Sequence, residues 1–311
     1  MSTVSDSRSD SENTAAVRSN RPVYLILASE AALTAFAAVI LTILLCKFYE
    51  PDVMLFAADT PKSLLTALCV AVGIFALLTL AMAFASASCE CKIQNRGSRL
   101  TLVGAIIFAA ALASFALTST VFELDGDSVR YLITLTDYDS SSSILYASTL
   151  AKIGAYLALF SLIYPLVLAI TGKRNCVAAL IASVWALSAA LRVYFNITTP
   201  MNDPMRLMRI VGYGAAALAL TLDVRISLSR LSARLLLTVG SMCACLSAAA
   251  SLPAIITYIV GIATPDTDLF GSAATLAASL ITAAAIIGAL RKKAADEPQD
   301  DEEFNEENDL I

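Results

Sequence analysis

Eight long apolar runs constrain this sequence more than any other feature. About 20 apolar residues suffice for a helix to cross the hydrocarbon core of a bilayer. A helix is favoured there because it satisfies its backbone hydrogen bonds internally, where no water is available to do so. The predicted spans are 22–46, 64–87, 101–122, 151–171, 176–195, 206–223, 234–262 and 269–290.

The composition also favours a membrane protein over a soluble one. Hydrophobic residues make up 58% of the chain, charged residues make up 15%, and the mean hydropathy is +0.75. Soluble domains carry about 25% charged residues. This chain therefore has too little polar surface to face water on all sides. We predict an all-α, polytopic transmembrane helix bundle over residues 22–293, with the lipid bilayer as its main partner.

Polar tails flank the predicted bundle. Residues 1–21 are rich in Ser, Asp and Asn, and residues 294–311 hold nine acidic residues and no basic one. Such segments bury too little apolar surface to offset the entropy of ordering, so we predict that both tails are disordered. The acidic tail either serves only to solvate the chain end or docks a cytoplasmic protein partner through Phe304 and Leu310-Ile311.

The distribution of Lys and Arg predicts the orientation of the bundle. Fourteen basic residues fall on the side that carries both termini, and seven fall on the opposite side. The positive-inside rule places the more basic side in the cytoplasm. The bias alternates at every loop, so the span count and the orientation support each other. The largest outer loop, residues 123–150, is a candidate for a short hairpin or cap.

One segment resembles a known group of proteins. The stretch Tyr194-Phe-Asn-Ile-Thr-Thr-Pro-Met-Asn-Asp-Pro204, followed by an apolar span that ends at Asp223-Val-Arg225, is similar to a pattern in uncharacterised eight-span bacterial integral membrane proteins. The resemblance covers about thirty residues closely. It implies a bacterial cytoplasmic membrane and carries no substrate or activity.

Several classes of chemistry are excluded by the residues themselves. The chain has no histidine, which removes Ser-His and Cys-His catalysis and His-ligated zinc. Its seven cysteines lie mostly in or beside apolar runs, where Cys usually acts as a small buried hydrophobe. No phosphate-binding Gly-x-x-x-x-Gly-Lys motif is present. We expect no enzyme activity, no metal, no cofactor and no nucleic-acid partner.

Glu30 is the sharpest candidate for a functional residue. It lies well inside the first span, too deep for a short carboxylate to reach water easily. A carboxyl group in such surroundings favours its neutral form. Glu30 is therefore a candidate intramembrane proton or cation site. The structural alternative is a protonated side chain bonded to a neighbouring helix.

Arg192, Arg206 and Arg209 form a second candidate. They lie near the outer ends of spans five and six, against the positive-inside bias, and Arg206 and Arg209 share a helix face. Together with the helix N-terminus they could hold an anionic headgroup or solute. The alternative is that they pair with Asp203, Asp266 or Asp268 and reach the interface.

Two functions remain open from the sequence. The first is a small-solute or ion transporter of permease type that uses Glu30. The second is a non-transporting membrane scaffold or sensor that binds a partner through its acidic cytoplasmic tail.

Overall fold

The computed structural model describes residues 6–50, 55–88, 93, 95, 97–122, 149, 152–195, 203–261 and 269–291. Within these ranges, eight helices are long and apolar enough to cross a membrane, which confirms the predicted all-α bundle. The chain is a multi-pass membrane protein. The helices are α1 (Asp6–Phe48), α2 (Lys62–Ala85), α3 (Arg99–Phe122), α4 (Lys152–Thr171), α5 (Cys176–Phe195), α6 (Pro204–Ser227), α7 (Ala233–Val260) and α8 (Leu269–Arg291).

Helix α1 extends beyond the membrane-spanning part of the chain. Its apolar part begins at Arg21, and the helix itself begins at Asp6. A helix that is already nucleated gains one hydrogen bond for each residue added, which favours extension from the span into the polar segment. The acidic tail 294–311 and the predicted cap in 123–150 lie almost wholly outside the described residues.

Two local departures from plain helix accompany the bundle. After α1, the short strands β1 (Tyr49–Glu50) and β2 (Leu55–Phe56) pair antiparallel, with Tyr49 opposite Phe56. In α7, a π-helical stretch (Leu236–Gly240) separates the first turn (Ala233–Leu235) from the main helix (Ser241–Val260). Such π-helical insertions are rare and are often found at functional sites.

The main core surrounds Trp185 of α5. Its ring packs edge-to-face against Phe108 and Phe115 of α3 and Tyr213 of α6, with ring centroids 6.0, 5.5 and 5.9 Å away. These are the distances at which aromatic pairs attract beyond simple burial. Alanines of α3, α5, α6 and α8, together with Ala158, Tyr164 and Leu168 of α4, supply much of the rest of this cluster. The helices α3, α4, α5, α6 and α8 thus form the packed half of the bundle.

Hydrogen bonds identify the two ends of the bundle. At one end, Gly97 N donates to Gly172 O over 2.7 Å, and the Tyr24 hydroxyl donates to Leu290 O over 3.3 Å. We call this the basic end, because it carries the loops with most of the Lys and Arg residues. At the other end, the Tyr49 hydroxyl donates to Asp203 Oδ1 over 3.2 Å. We call this the hairpin end, after β1 and β2.

Small residues allow neighbouring helices of the bundle to approach closely. A Cβ at Gly104 of α3 would lie 2.9 Å from Ile281 of α8, and a Cβ at Gly212 of α6 would lie 3.3 Å from Ala250 of α7. The Ser251 and Thr275 hydroxyls meet at 2.5 Å between α7 and α8. Because lipid gives helices no hydrophobic reason to associate, such contacts must hold them together.

Helix α2 lies at the edge of the bundle. Only 6% of its most apolar window is buried inside the protein, compared with 61% for α8. It packs against α1 and against the π-helical stretch of α7. The half of the protein that contains α1 and α2 is therefore more open than the half around Trp185.

Candidate functional site

Glu30 lies inside the protein at membrane depth. It comes nine residues after Arg21, where the apolar part of α1 begins, which is about 14 Å along the helix axis. Its exposed fraction is 0%. Neither carboxyl oxygen has a hydrogen-bond partner at standard length and angle among the described residues. A buried polar group without a hydrogen bond is costly, so its presence requires an explanation.

Two hydroxyl groups face Glu30 from neighbouring helices. They belong to Thr79 of α2 and Ser241 of α7. Both lie close enough to interact with the carboxyl group, and each also donates to a carbonyl of its own helix: Thr79 to Phe75 O over 3.0 Å, and Ser241 to Thr238 O over 3.3 Å. The hydroxyls therefore surround the carboxyl group with dipoles but do not neutralise it.

A cavity of about 440 Å³ lies between α1, α2, α6 and α7. This volume is within the range of small-molecule sites, roughly 300–1,000 Å³. Almost all of its lining side chains are apolar; the polar exceptions are Thr34 and Cys245. The cavity is therefore suited to an apolar body and not to a hydrated solute.

The cavity and Glu30 lie on the same helix faces. On α1, the lining residues Thr34, Ala37 and Leu41 follow Glu30 at intervals of about one turn. On α2 and α7, the residues that bring hydroxyls to Glu30 also lie one turn from a residue that lines the cavity. Phe75 lies one turn before Thr79, and Cys245 lies one turn after Ser241. Glu30 and its two hydroxyls thus continue the cavity wall by one turn towards the basic end.

The cavity opens to the lipid-facing side of the bundle. Val72 of α2 and Leu207 and Val211 of α6 line it and are also 61%, 51% and 46% exposed. They stand on the two helices that flank the opening. A molecule dissolved in the bilayer therefore has a lateral path to the space beside Glu30.

The predicted arginine cluster lies at the hairpin end of the bundle. The Arg206 side chain is buried and donates to the Tyr194 carbonyl oxygen. The Asp203 carboxylate and the Arg209 guanidinium both lie within electrostatic reach of Arg206. Arg192 lies towards α3, where its guanidinium carbon is 5.5 Å from the centre of the Phe115 ring. The structure therefore keeps Arg206 and Arg209 together and gives Arg192 different surroundings.

Asp203 organises that end of α6. As the N-cap residue it accepts hydrogen bonds from Met205 N over 3.0 Å and from Arg206 N over 3.2 Å. An aspartate at this position satisfies backbone N–H groups that have no partner within the helix. The same carboxylate accepts from Tyr49, so it joins the start of α6 to the end of α1.

A buried ionic triad lies at the basic end of the bundle. Arg174, in the loop between α4 and α5, donates from Nε to Asp223 Oδ1 over 2.8 Å. The Tyr164 hydroxyl of α4 donates to Asp223 Oδ2 over 2.6 Å. Nothing in the sequence indicates that Tyr164 completes the triad.

Two opposing effects act on the Arg174 guanidinium. Burial alone would lower its pKa, but the Asp223 carboxylate and the Tyr164 hydroxyl raise it, and the net shift of the pKa is upward. The Arg174 backbone N–H also donates to Asn95 Oδ1 over 3.1 Å. The triad and the hydrogen bond to Asn95 thus hold two loops, the one before α3 and the one after α4, to the end of α6.

In the described part of the chain, no three Cys, Asp or Glu residues lie close enough together to hold a metal ion. Comparison with protein-family models, with curated proteins and with solved structures finds no match to this chain. The function must therefore be inferred from the site itself.

Proposed function

We propose that this protein is a small transporter of permease type, in which Glu30 binds and releases a proton as part of the transport cycle. The observation that carries this proposal is the Glu30 carboxyl group, fully buried at membrane depth, which only neutral hydroxyl groups and a thiol face among the described residues. An ionisable group in a membrane span is costly and usually marks a pathway or a relay.

The surroundings of Glu30 favour a proton over a metal cation. A bound alkali or alkaline-earth ion requires about six oxygen ligands. The described residues around Glu30 offer one carboxyl group and the hydroxyls of Thr79 and Ser241. A proton needs a single oxygen, which Glu30 supplies.

The proposal includes an orientation. The basic end, with the Arg174 loop and the start of the α1 span, faces the cytoplasm, as expected for the cytoplasmic membrane of a bacterium. Both termini then lie in the cytoplasm. Glu30 lies nearer to that side, and the cavity extends from it towards the hairpin end.

A proton-flux assay tests the proposal. The full chain is reconstituted in proteoliposomes that contain a pH-sensitive dye, and a panel of sugars, amino acids, organic anions and organic cations is added in turn. We expect at least one class to cause proton movement with the wild type. The Glu30→Gln variant should cause none, because its amide cannot exchange a proton.

The matched control is Glu50→Gln, the same change at an exposed position of β1. It should behave as the wild type does. Thermal unfolding in detergent shows whether Glu30→Gln is folded. The proposal is contradicted by a wild type that moves protons with no member of the panel, and equally by a folded Glu30→Gln variant that keeps the wild-type rate.

A further inference from the structure

We infer that the cavity between α1, α2, α6 and α7 binds an amphiphilic organic cation, with its apolar body in the cavity and its positive centre against the Glu30 carboxylate. This inference rests on the proposed function for its place in a transport cycle, and it names the substrate class. It joins two independent features: an apolar space, and at one end of it a buried acid with no cationic partner among the described residues.

The shape of the cavity sets the apolar part of the ligand. The α1 wall runs from Leu33 to Leu41, which is about 12 Å along the helix axis. Over this length α1 contributes one polar side chain, Thr34, at the end next to Glu30. A ligand that fills this space must be apolar along most of its length and polar at one end only.

Charge complementarity sets the polar part of the ligand. Among the described residues, the Glu30 carboxyl has no positively charged neighbour, and the two hydroxyls that face it are neutral and also bond within their own helices. A buried carboxylate is stable only with a positive partner, and otherwise it takes up a proton. A ligand cation and a proton therefore compete for the same group.

Few neighbouring groups can influence the competition between a ligand cation and a proton for Glu30. Glu30 packs among α1, α2 and α7, and the groups facing it there are the Thr79 and Ser241 hydroxyls and the Cys245 thiol. The thiol also interacts with Thr34 on the α1 wall. Of these neighbours, Cys245 alone is titratable, and it is not cationic in either form. The pH dependence of cation binding therefore reports on Glu30.

The lateral opening provides the route of entry. An amphiphilic cation partitions into a bilayer and reaches hydrocarbon depth without crossing an aqueous channel. The opening between Val72 of α2 and Leu207 of α6 lies on that route. A strongly hydrated solute would have no comparable path to Glu30.

The test uses two probes that have the same apolar chain and terminal head groups of opposite charge, decylammonium and decyl sulfate. Binding to the full chain in nanodiscs is measured after subtraction of binding to empty nanodiscs. We expect the cation to bind at least about tenfold more tightly than the anion, the contribution of one charge-assisted contact. Lowering the pH should weaken binding of the cation, because the proton displaces it.

Two variants locate the site, each with a control. Glu30→Gln should lose at least about tenfold in affinity for the cation, since its charge partner is removed. Ala37→Phe fills the cavity wall and should abolish binding while Glu30 stays in place. The matched control for Ala37→Phe is Ala35→Phe, on the exposed face of the same helix, which should bind as the wild type does.

The outcomes separate the inference from the proposed function. Equal or tighter binding of decyl sulfate by the wild type would indicate a site for neutral molecules or lipid chains and would overturn the inference. Binding of the cation that does not change with pH would also overturn it. If Glu30→Gln abolishes proton movement while both probes bind equally, the inference fails and the transport proposal stands. Glu30-dependent binding of the cation without proton movement by any solute supports the site and contradicts transport.

Discussion

The Arg174 guanidinium and the Asp223 carboxylate form an ion pair in which less than one twentieth of either side chain is exposed, with 2.8 Å between Nε and Oδ1. The pair joins the loop between α4 and α5 to the last turns of α6. Neither charge could remain alone in such surroundings at low cost. The contact therefore acts as an obligatory tie at the basic end of the bundle.

Removal of either partner of this pair should destabilise the protein strongly. Asp223→Ala and Arg174→Ala should each lower the free energy of unfolding by about 3–5 kcal/mol, because the other charge stays buried without its partner. The double variant should lose less than the sum of the two. Thermal and denaturant unfolding in detergent measure these losses.

The control for this prediction is Arg225→Ala, two residues from Asp223 but exposed, which should change stability by about 0.5 kcal/mol or less. Because the pKa of Arg174 is raised in the folded state, its contribution is complete below the unfolded-state value and is lost only as the pH rises through the folded-state value. The loss should therefore be the same at pH values from about 6 to 9. Losses that are additive in the double variant would show that the two residues do not act as a pair.

Tyr164→Phe isolates the third member of the triad. It removes the hydroxyl that donates to Asp223 Oδ2 over 2.6 Å and keeps the ring. We expect a loss of about 1.5–3 kcal/mol in the free energy of unfolding, as for a buried hydrogen bond to a charged group. The comparison is Tyr156→Phe on the same helix, where the side chain is 58% exposed. Equal effects at both positions would refute a special role for the Tyr164 hydroxyl.

Gly104→Ala should destabilise the contact between α3 and α8. The added Cβ would lie 2.9 Å from Ile281 Cγ1, so the two helices must move apart or Ile281 must change rotamer. Overpacking of this kind costs about 1–3 kcal/mol. At Gly73 of α2 a Cβ would meet nothing within 4 Å, and Gly73→Ala should be neutral or stabilising because Ala is the better helix former. Unfolding measurements that rank the two variants in the opposite order would contradict this packing.

The fluorescence of Trp185 reports directly on the packed half of the bundle. Trp185 is the one tryptophan in the sequence, and its exposed fraction is 0%. Its emission should lie at short wavelength and resist quenching by iodide until the protein unfolds. Trp185→Phe supplies the background signal. Emission typical of water-exposed indole from the folded protein would place Trp185 outside the core.

Single-cysteine reporters test the orientation. In a variant that lacks the native cysteines, Ser141→Cys in the predicted outer loop should react with a membrane-impermeant maleimide in intact cells. Ser229→Cys, in the exposed turn after α6, should react only after permeabilisation. The reverse pattern would invert the proposed topology. Reaction of both in intact cells would contradict the alternation of the loops.

The spans are predictable from the sequence because each one is a run of about 20 apolar residues, a property of the segment that does not depend on its neighbours in the fold. The predicted start of the fifth span at Cys176 and its end at Phe195 agree with α5. Contacts between helices depend on which residues become neighbours in three dimensions, so they are harder to predict from the sequence. The sequence places Asp223 at the end of a span but does not identify its partner, because selecting Arg174 from the many basic residues at that end requires the packing of α4 against α5.

The candidate site was predictable only in part. The depth of Glu30 follows from counting residues along α1. The cavity beside it depends on which faces of α1, α2, α6 and α7 meet, and no pattern in the sequence specifies those contacts. The two-residue strands of the hairpin at Tyr49 are too short to produce a recognisable alternation, so the sequence gives no sign of them.

The Arg174–Asp223 tie has a consequence for the synthesis and membrane insertion of the protein. The two residues are separated by 49 positions in the chain. At synthesis rates of about 5–20 residues per second, Arg174 leaves the ribosome roughly 2–10 seconds before its partner. During that interval the newly inserted α4 and α5 carry a cation with no carboxylate to receive it. They must therefore remain near the insertion machinery, or keep Arg174 at the headgroups, until α6 arrives and closes that end of the bundle.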